Sequence, residues 1–416
     1  MRCITMRHNR NIHIALATAE PDVANRLLRS MQHELPSFSI KASILLIGSS
    51  KSSLFYKFCV PVDIIESVTF SPPIVDSRNI CQQHLQRKMN QEGSIGFILD
   101  DDLLWTIPEH KFISLIEQLI AKECDMAFSA LSGDSPIPKE YTRASPLLDV
   151  LMAISDADAS DKSVAIQRYI SCIDISELGY VECNAHHDFY SFNQRNFCRY
   201  EVNISSMQWH GFIDNLVKGK TTTRQVELPS VITPAGGRER GGATLIFNAD
   251  VLSIKNDAIR SIKLISRRSD MIMATDVAHA SFKLFKTPPM LEHRRNESFD
   301  THDCNKIIGD ILGYALVESR DSVDFCSKKF TKNLSQRIKQ TNVIIRESSI
   351  MLQLLERWLH DHKYIGIEES KLLKSMLSEN KLLMPALLSI DMPLILKSFN
   401  SFVMMRDTAC ALSATE

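Results

Sequence analysis

Residues Gly96 to Leu104 read GFILDDDLL, an apolar run that passes straight into three consecutive aspartates. Such a segment has few places to go. Its apolar part belongs in a core, yet three adjacent carboxylates cannot be buried unpaired beside it, so the strand must end where a sheet meets solvent. Around it, short apolar runs alternate with helical patterns. Ile12 to Thr18, Ile40 to Ile47, Asp63 to Phe70, Ser94 to Leu99 and Asp125 to Ala130 read as strands, while Pro21 to Gln32, Ser77 to Met89 and His110 to Lys122 read as helices. This alternation predicts an α/β domain with a mostly parallel sheet covered by helices. The aspartates are then expected at the carboxyl end of a central strand, where open α/β sheets bind ligands.

A chain of 416 residues exceeds the usual single domain, and the pattern changes along it. Residues 1–302 are expected to form the catalytic α/β domain, with 134–230 an irregular, acceptor-side region. Within that region Tyr180 to Cys183 and Phe197 to Ile204 are strand-like. Residues 303–416 lose the strand alternation and are expected to form a helical domain, with Ile344, Ile345, Ile350, Leu352, Leu355 and Leu359 marking a buried stripe. Lysine and arginine total 48 against 49 acidic residues, so no overall field gathers nucleic acid. Ten cysteines form no C-x-x-C pair, and no secretory signal is recognised, which points to reduced thiols in a cytoplasmic protein. No apolar run is long enough to span a bilayer, leaving peripheral membrane association open.

If the aspartate segment is extended, Asp100 and Asp102 leave one face and can share a hard cation, Mg²⁺ or Mn²⁺, while Asp101 points elsewhere. A solvated turn capping the next helix explains the same three residues equally well. His186-His187-Asp188 is a competing constellation, but adjacent histidines diverge in helix and strand alike and do not readily serve one metal. Trp105 and Trp209 are candidates for stacking on a sugar, with core packing at least as good an explanation.

Several features in sequence order resemble the family 2 glycosyltransferases and their relatives with the glycosyltransferase A fold. Ser77-Arg78-Asn79, opening a helix about twenty residues before Phe97-Ile98-Leu99-Asp100-Asp101-Asp102, is similar to the family's alanine-arginine-asparagine helix and D-x-D strand. Arg240-Gly241-Gly242-Ala243-Thr244-Leu245-Ile246-Phe247 resembles its glycine-glycine strand beside the acceptor. Arg268-Ser269-Asp270 falls where an acidic pair is usual, with Ser269 replacing the first acid. His293, in Leu291-Glu292-His293-Arg294-Arg295, looks like the histidine that often completes the metal and diphosphate site. The matches span roughly residues 10 to 300.

The resemblance implies a glycosyltransferase A-like, Rossmann-type mixed sheet and transfer of a sugar, with inversion, from a nucleotide-diphosphate donor to an acceptor hydroxyl. Asp100, Asp102 and His293 are expected to hold Mn²⁺ or Mg²⁺. Asp270 would serve as general base, with Asp276 in reserve, because inversion needs a carboxylate at the incoming hydroxyl. Arg78, Arg238, Arg240, Arg294 and Arg295 would join Asp100 around the donor's diphosphate. For Asp270 a helix-start carboxylate, for His293 an exposed histidine in a basic loop, and for the arginines a solvated charged face are the plain alternatives. The loop after Ile47, GSSKSS, lacks the aspartate that often holds the nucleobase, so the base is not specified. The helical tail would bind an acceptor, a partner or a second copy of the chain. A nucleotidyltransferase on a related fold and a non-catalytic interaction protein on a glycosyltransferase scaffold are the rival readings.

Overall fold

The structure, a computed structural model, describes residues 10–48, 56–68, 72–134, 138–173, 201–220, 228–237, 239, 242–261, 264–294, 304–321 and 324–413. Strand β1 (Asn11–Thr18) is buried on both faces, which its run of isoleucine, alanine and leucine allows, and it lies inside a mixed sheet. β2 (Ser39–Ile47) and β3 (Val62–Val68) continue the sheet on one side and β4 (Ile95–Leu99) joins on the other, all parallel, in the order β3-β2-β1-β4.

Beyond β4 the expected parallel order changes. β8 (Ala243–Ile246) runs antiparallel between β4 and β6 (Met126–Gly133), because the chain returns to the sheet from the carboxyl end of β4. β9 (Leu284–His293) is parallel to β6, and β5 (Leu103–Trp105) and β7 (Thr233–Pro234) pair antiparallel with β9. The result is a mixed α/β sheet. Helices Pro21–Glu34 and Glu109–Ala121 bury Leu27, Leu28, Phe112 and Leu119 against one face. Ile74–Glu92 and Ser269–His279 cover the other with Cys81, Leu85, Met273 and Val277.

β9 has no counterpart in the sequence reading because Pro288 and Pro289 interrupt it. Proline offers no N–H to a ladder. The pairing with β6 accordingly shifts register between Ser129 and Leu131, and the Ser129 hydroxyl accepts the Met290 N–H at 3.1 Å across the gap. His293 is therefore the last residue of a strand and 8% exposed, not an exposed loop histidine.

Helices also occupy described parts of the stretch read as irregular. Lys139–Ala157 contains Pro146, a residue that ordinarily stops a helix, and Trp209–Lys218 is short. Both share one apolar core with Cys304–Glu318, Ser327–Asp361, Ile367–Leu388 and Met392–Ser413. Ile344, Ile345, Leu352, Leu355 and Leu359 enter that core, whereas Ile350 is only partly buried and Met351 takes a place inside. Arg143 ties three of these helices together: its guanidinium donates to the Leu216 and Val217 carbonyls, each at 2.8 Å, and to Glu379 at 2.7 Å. Among the described residues no single helix is long and apolar enough to cross a membrane.

Within β1, the buried His13 ring meets the Ser43 hydroxyl at 2.7 Å. Burial holds its pKa down at about 4, against 6.5 for a free histidine. Between those values the unfolded chain takes up a proton that the folded chain refuses. Stability from neutral His13 is thus fully present above pH 6.5 and is lost as pH falls towards 4, by on the order of 3 kcal/mol. His13→Gln should flatten this part of the acid response, checked as the difference in urea midpoint between variant and wild type at pH 7 and pH 4.5. A difference independent of pH would contradict the assignment.

Candidate active site at the carboxyl end of β4

β4 ends at Leu99, and the backbone N–H of Asp100 extends its ladder by one bond, donating to Gly242 O at 2.9 Å. Asp101 and Asp102 then form a turn into β5, so the segment is not extended through the three aspartates. This turn separates their side chains. Asp100 faces Arg78, at 3.4 Å; Asp101 accepts from the Thr18 hydroxyl, at 2.6 Å; Asp102 meets His293, Oδ2 to Nε2, at 2.9 Å. The expectation that Asp100 and Asp102 share one strand face gives way to two neighbouring half-sites.

The first half-site is a chain of charges. Arg78, near the start of helix Ile74–Glu92, places Nη2 on Asp100 and Nη1 3.1 Å from Asp270 Oδ2. Asp270 is the second residue of helix Ser269–His279 and only 6% exposed. Burial opposes the charge on Arg78, but Asp270 and Asp100 outweigh it and raise its pKa. Loss of solvation raises the pKa of Asp100, with Asp102 and Asp270 adding repulsion against the pull of Arg78. Gly242 leaves room for the Asp100 carboxylate, which a methyl group at its Cα would push aside.

The second half-site is built on the β5–β9 pairing. Leu103 is opposite His293, and the Arg294 N–H donates to Asp102 O at 2.9 Å, so backbone bonds hold the two side chains face to face. With Nε2 on the carboxylate, the buried Nδ1 of His293 has no hydrogen-bond partner among the described residues. Asp102 and His293 are the carboxylate and imidazole of this half-site that could hold a cation. Among the described residues no three His, Cys, Asp or Glu side chains are gathered closely enough to hold a metal alone.

Of the other expected residues, Arg294 turns its head to Glu292 at 3.2 Å and is largely solvent-exposed. Arg238, Arg240, Arg295 and His186-His187-Asp188 lie outside the described residues. Asp276, the reserve base, is held between Arg320 at 2.6 Å and Arg406 at 2.7 Å, away from Asp100 and Asp102 in its bonding. Trp105 is a core residue whose indole donates to Ile107 O, and Trp209 packs against Trp358. Thr18 was not singled out in the sequence; the available signal is a polar residue closing a central strand.

No protein-family model matches this chain, and a search of the curated proteins finds no match.

Burial, chiefly, lifts the Asp101 pKa to about 6 from the ordinary 3.8, with Asp102 and Asp100 adding to it against the Thr18 hydrogen bond. The folded chain then binds this proton more tightly than the unfolded one, so the contribution is most favourable below pH 3.8 and is lost as pH rises through 6. At pH 8 the ionised group costs on the order of 3 kcal/mol. Asp101→Asn keeps an acceptor for Thr18 and should raise the melting temperature at pH 8 in EDTA, the gain shrinking towards pH 4. An equal shift at both pH values, or destabilisation at pH 8, would count against it.

Proposed function

We propose that this chain is a metal-dependent glycosyltransferase with a glycosyltransferase A-like fold, moving a sugar from a nucleotide-diphosphate donor to an acceptor hydroxyl with inversion. The observation that carries the reading is convergence. Arg78, Asp100, Asp102, Asp270 and His293 come from two helices, a turn and strand ends, and their side chains form two contact sets at the carboxyl end of β4, Asp100–Arg78–Asp270 and Asp102–His293, with Asp100 and Asp102 only two residues apart. The mixed sheet, with antiparallel β8 placing Gly242 against Asp100, supports the same family resemblance. The setting we propose is the cytoplasm.

Asp102 and His293 would hold Mn²⁺ or Mg²⁺, with Asp100 nearby, and the ion would supply positive charge to the departing diphosphate. Arg78 has planar donors suited to phosphate oxygens. In this reading a diphosphate draws Arg78 from Asp270, which frees that carboxylate to accept a proton. The acceptor oxygen then forms its bond to the anomeric carbon as the bond to the diphosphate breaks, the proton passing to Asp270 and the electron pair leaving with the nucleoside diphosphate.

A thermal-shift screen of nucleotide sugars tests the reading. One donor should raise the melting temperature of the wild type with Mn²⁺ and not with EDTA, and Asp102→Asn should abolish that rise while keeping the fold. No shift with any donor, or a shift that survives both EDTA and Asp102→Asn, would overturn it. With the acceptor in hand, Asp270→Asn should bind donor normally and lose about a hundredfold to ten-thousandfold in transfer. Undiminished transfer by that variant would remove Asp270 from the mechanism; binding without transfer by the wild type would favour the non-catalytic scaffold.

A further inference from the structure

The helix that carries Asp270 is gripped at both ends by the C-terminal helical region. Its flanks belong to two cores, since Met271 and Ile272 pack with the helical region while Met273, Ala274 and Val277 pack on the sheet. At its start, Arg267 N–H donates to Gly309 O at 2.9 Å, and Arg267 and Arg268 reach the buried Asp310 carboxylate at 3.1 and 2.9 Å. Arg268 has φ of 68°, a left-handed conformation unfavourable for a residue with a side chain, and the surrounding contacts hold it there. Gly309 and Gly313 permit the approach, because a Cβ at either would run into the backbone of residues 265–267.

Near its far end, Asp276 lies between two arginines from distant segments, Arg320 and Arg406, the latter also 3.4 Å from Asp257. Both guanidiniums lie 5.4 Å over the Phe325 ring, and Phe402 meets that ring edge-on. Aromatic faces and partial burial strengthen such pairs relative to exposed ones. A helix is stiff, so a displacement at Asp276 is carried along it to Asp270.

We infer that Asp276, Arg320 and Arg406 are positioning residues, an ionic clasp through which the C-terminal region sets the contact between Asp270 and Arg78. This rests on the functional reading of that contact. The grip itself is independent of it. Loosening the clasp is expected to free the Asp270 helix locally while the sheet stays intact and, because Asp270 competes with a diphosphate for Arg78, to strengthen binding of a diphosphate there.

The experiment compares full-length wild type, Arg406→Ala and Arg406→Lys by amide hydrogen exchange and by calorimetric binding of UDP, GDP, CDP and dTDP, each with Mn²⁺. In Arg406→Ala, amides of 269–279 should exchange on the order of tenfold faster, with those of 11–47 unchanged. Affinity for whichever diphosphate binds the wild type should rise about fivefold or more, with Arg406→Lys returning both effects most of the way to wild type. Unchanged exchange at 269–279, a uniform rise along the chain, no rescue by lysine, or unchanged or weaker affinity would each overturn the inference. If no diphosphate binds the wild type, the functional reading and the diphosphate arm fall together, while the exchange data still decide whether the clasp holds the helix.

Discussion

Arg78 stands between two carboxylates that belong to different layers of the molecule. Asp100 closes a sheet strand and Asp270 opens a helix, and without a cation between them their mutual repulsion would be poorly screened. The guanidinium is suited to the task because its donors diverge in a plane, so one group serves both acids. Glycine at 242 keeps Asp100 within reach, and the Ile74–Glu92 helix brings Arg78 up from below the sheet. The bridge joins the end of a sheet strand to the start of a helix. In the chemistry proposed, a diphosphate would compete for the same donors and so change the partner of Asp270.

The helix bearing Arg78 is itself located by side-chain amides. Asn79 exchanges hydrogen bonds with the Asn256 backbone at 2.8 and 2.9 Å, Gln82 donates to the Leu252 and Ile254 carbonyls, and Gln86 donates to Ala249 O. Asp76 adds two bonds from Arg260. One helix face thus fastens the segment leading from β8 towards Asp270, while the opposite side presents Cys81 and Leu85 to the sheet core. Orientation of the site is a property of this packing, with buried polar groups satisfied in pairs.

Much of the sheet was legible in the sequence because β1, β2, β4 and β6 carry compact apolar runs bounded by polar turns. β9 and the Lys139–Ala157 helix were hidden by proline, whose local preference is overruled by tertiary packing in both places. The aspartates showed where a site should open, but the turn at Asp101 and Asp102, which sends each acid to a different partner, has no signature in residue spacing. Arg78 with Asp270, and Asp102 with His293, are pairings between distant segments that periodicity cannot register. Family resemblance brought those names together; geometry shows how their charges are arranged. Asp276 looked like a second candidate base for the same reason, and only its contacts with Arg320 and Arg406 distinguish its place in the fold.

The central claim is that the edge formed by Asp102 and His293 takes a divalent ion together with a diphosphate held by Arg78. Anomalous diffraction at the manganese edge, from crystals grown with Mn²⁺ and a nucleoside diphosphate, addresses it most directly. The account predicts a manganese peak within coordination distance of the Asp102 carboxylate and the His293 ring, with phosphate oxygens completing its shell and Arg78 turned towards them. A peak elsewhere, or an ordered diphosphate bound with neither the metal nor Arg78, would contradict it.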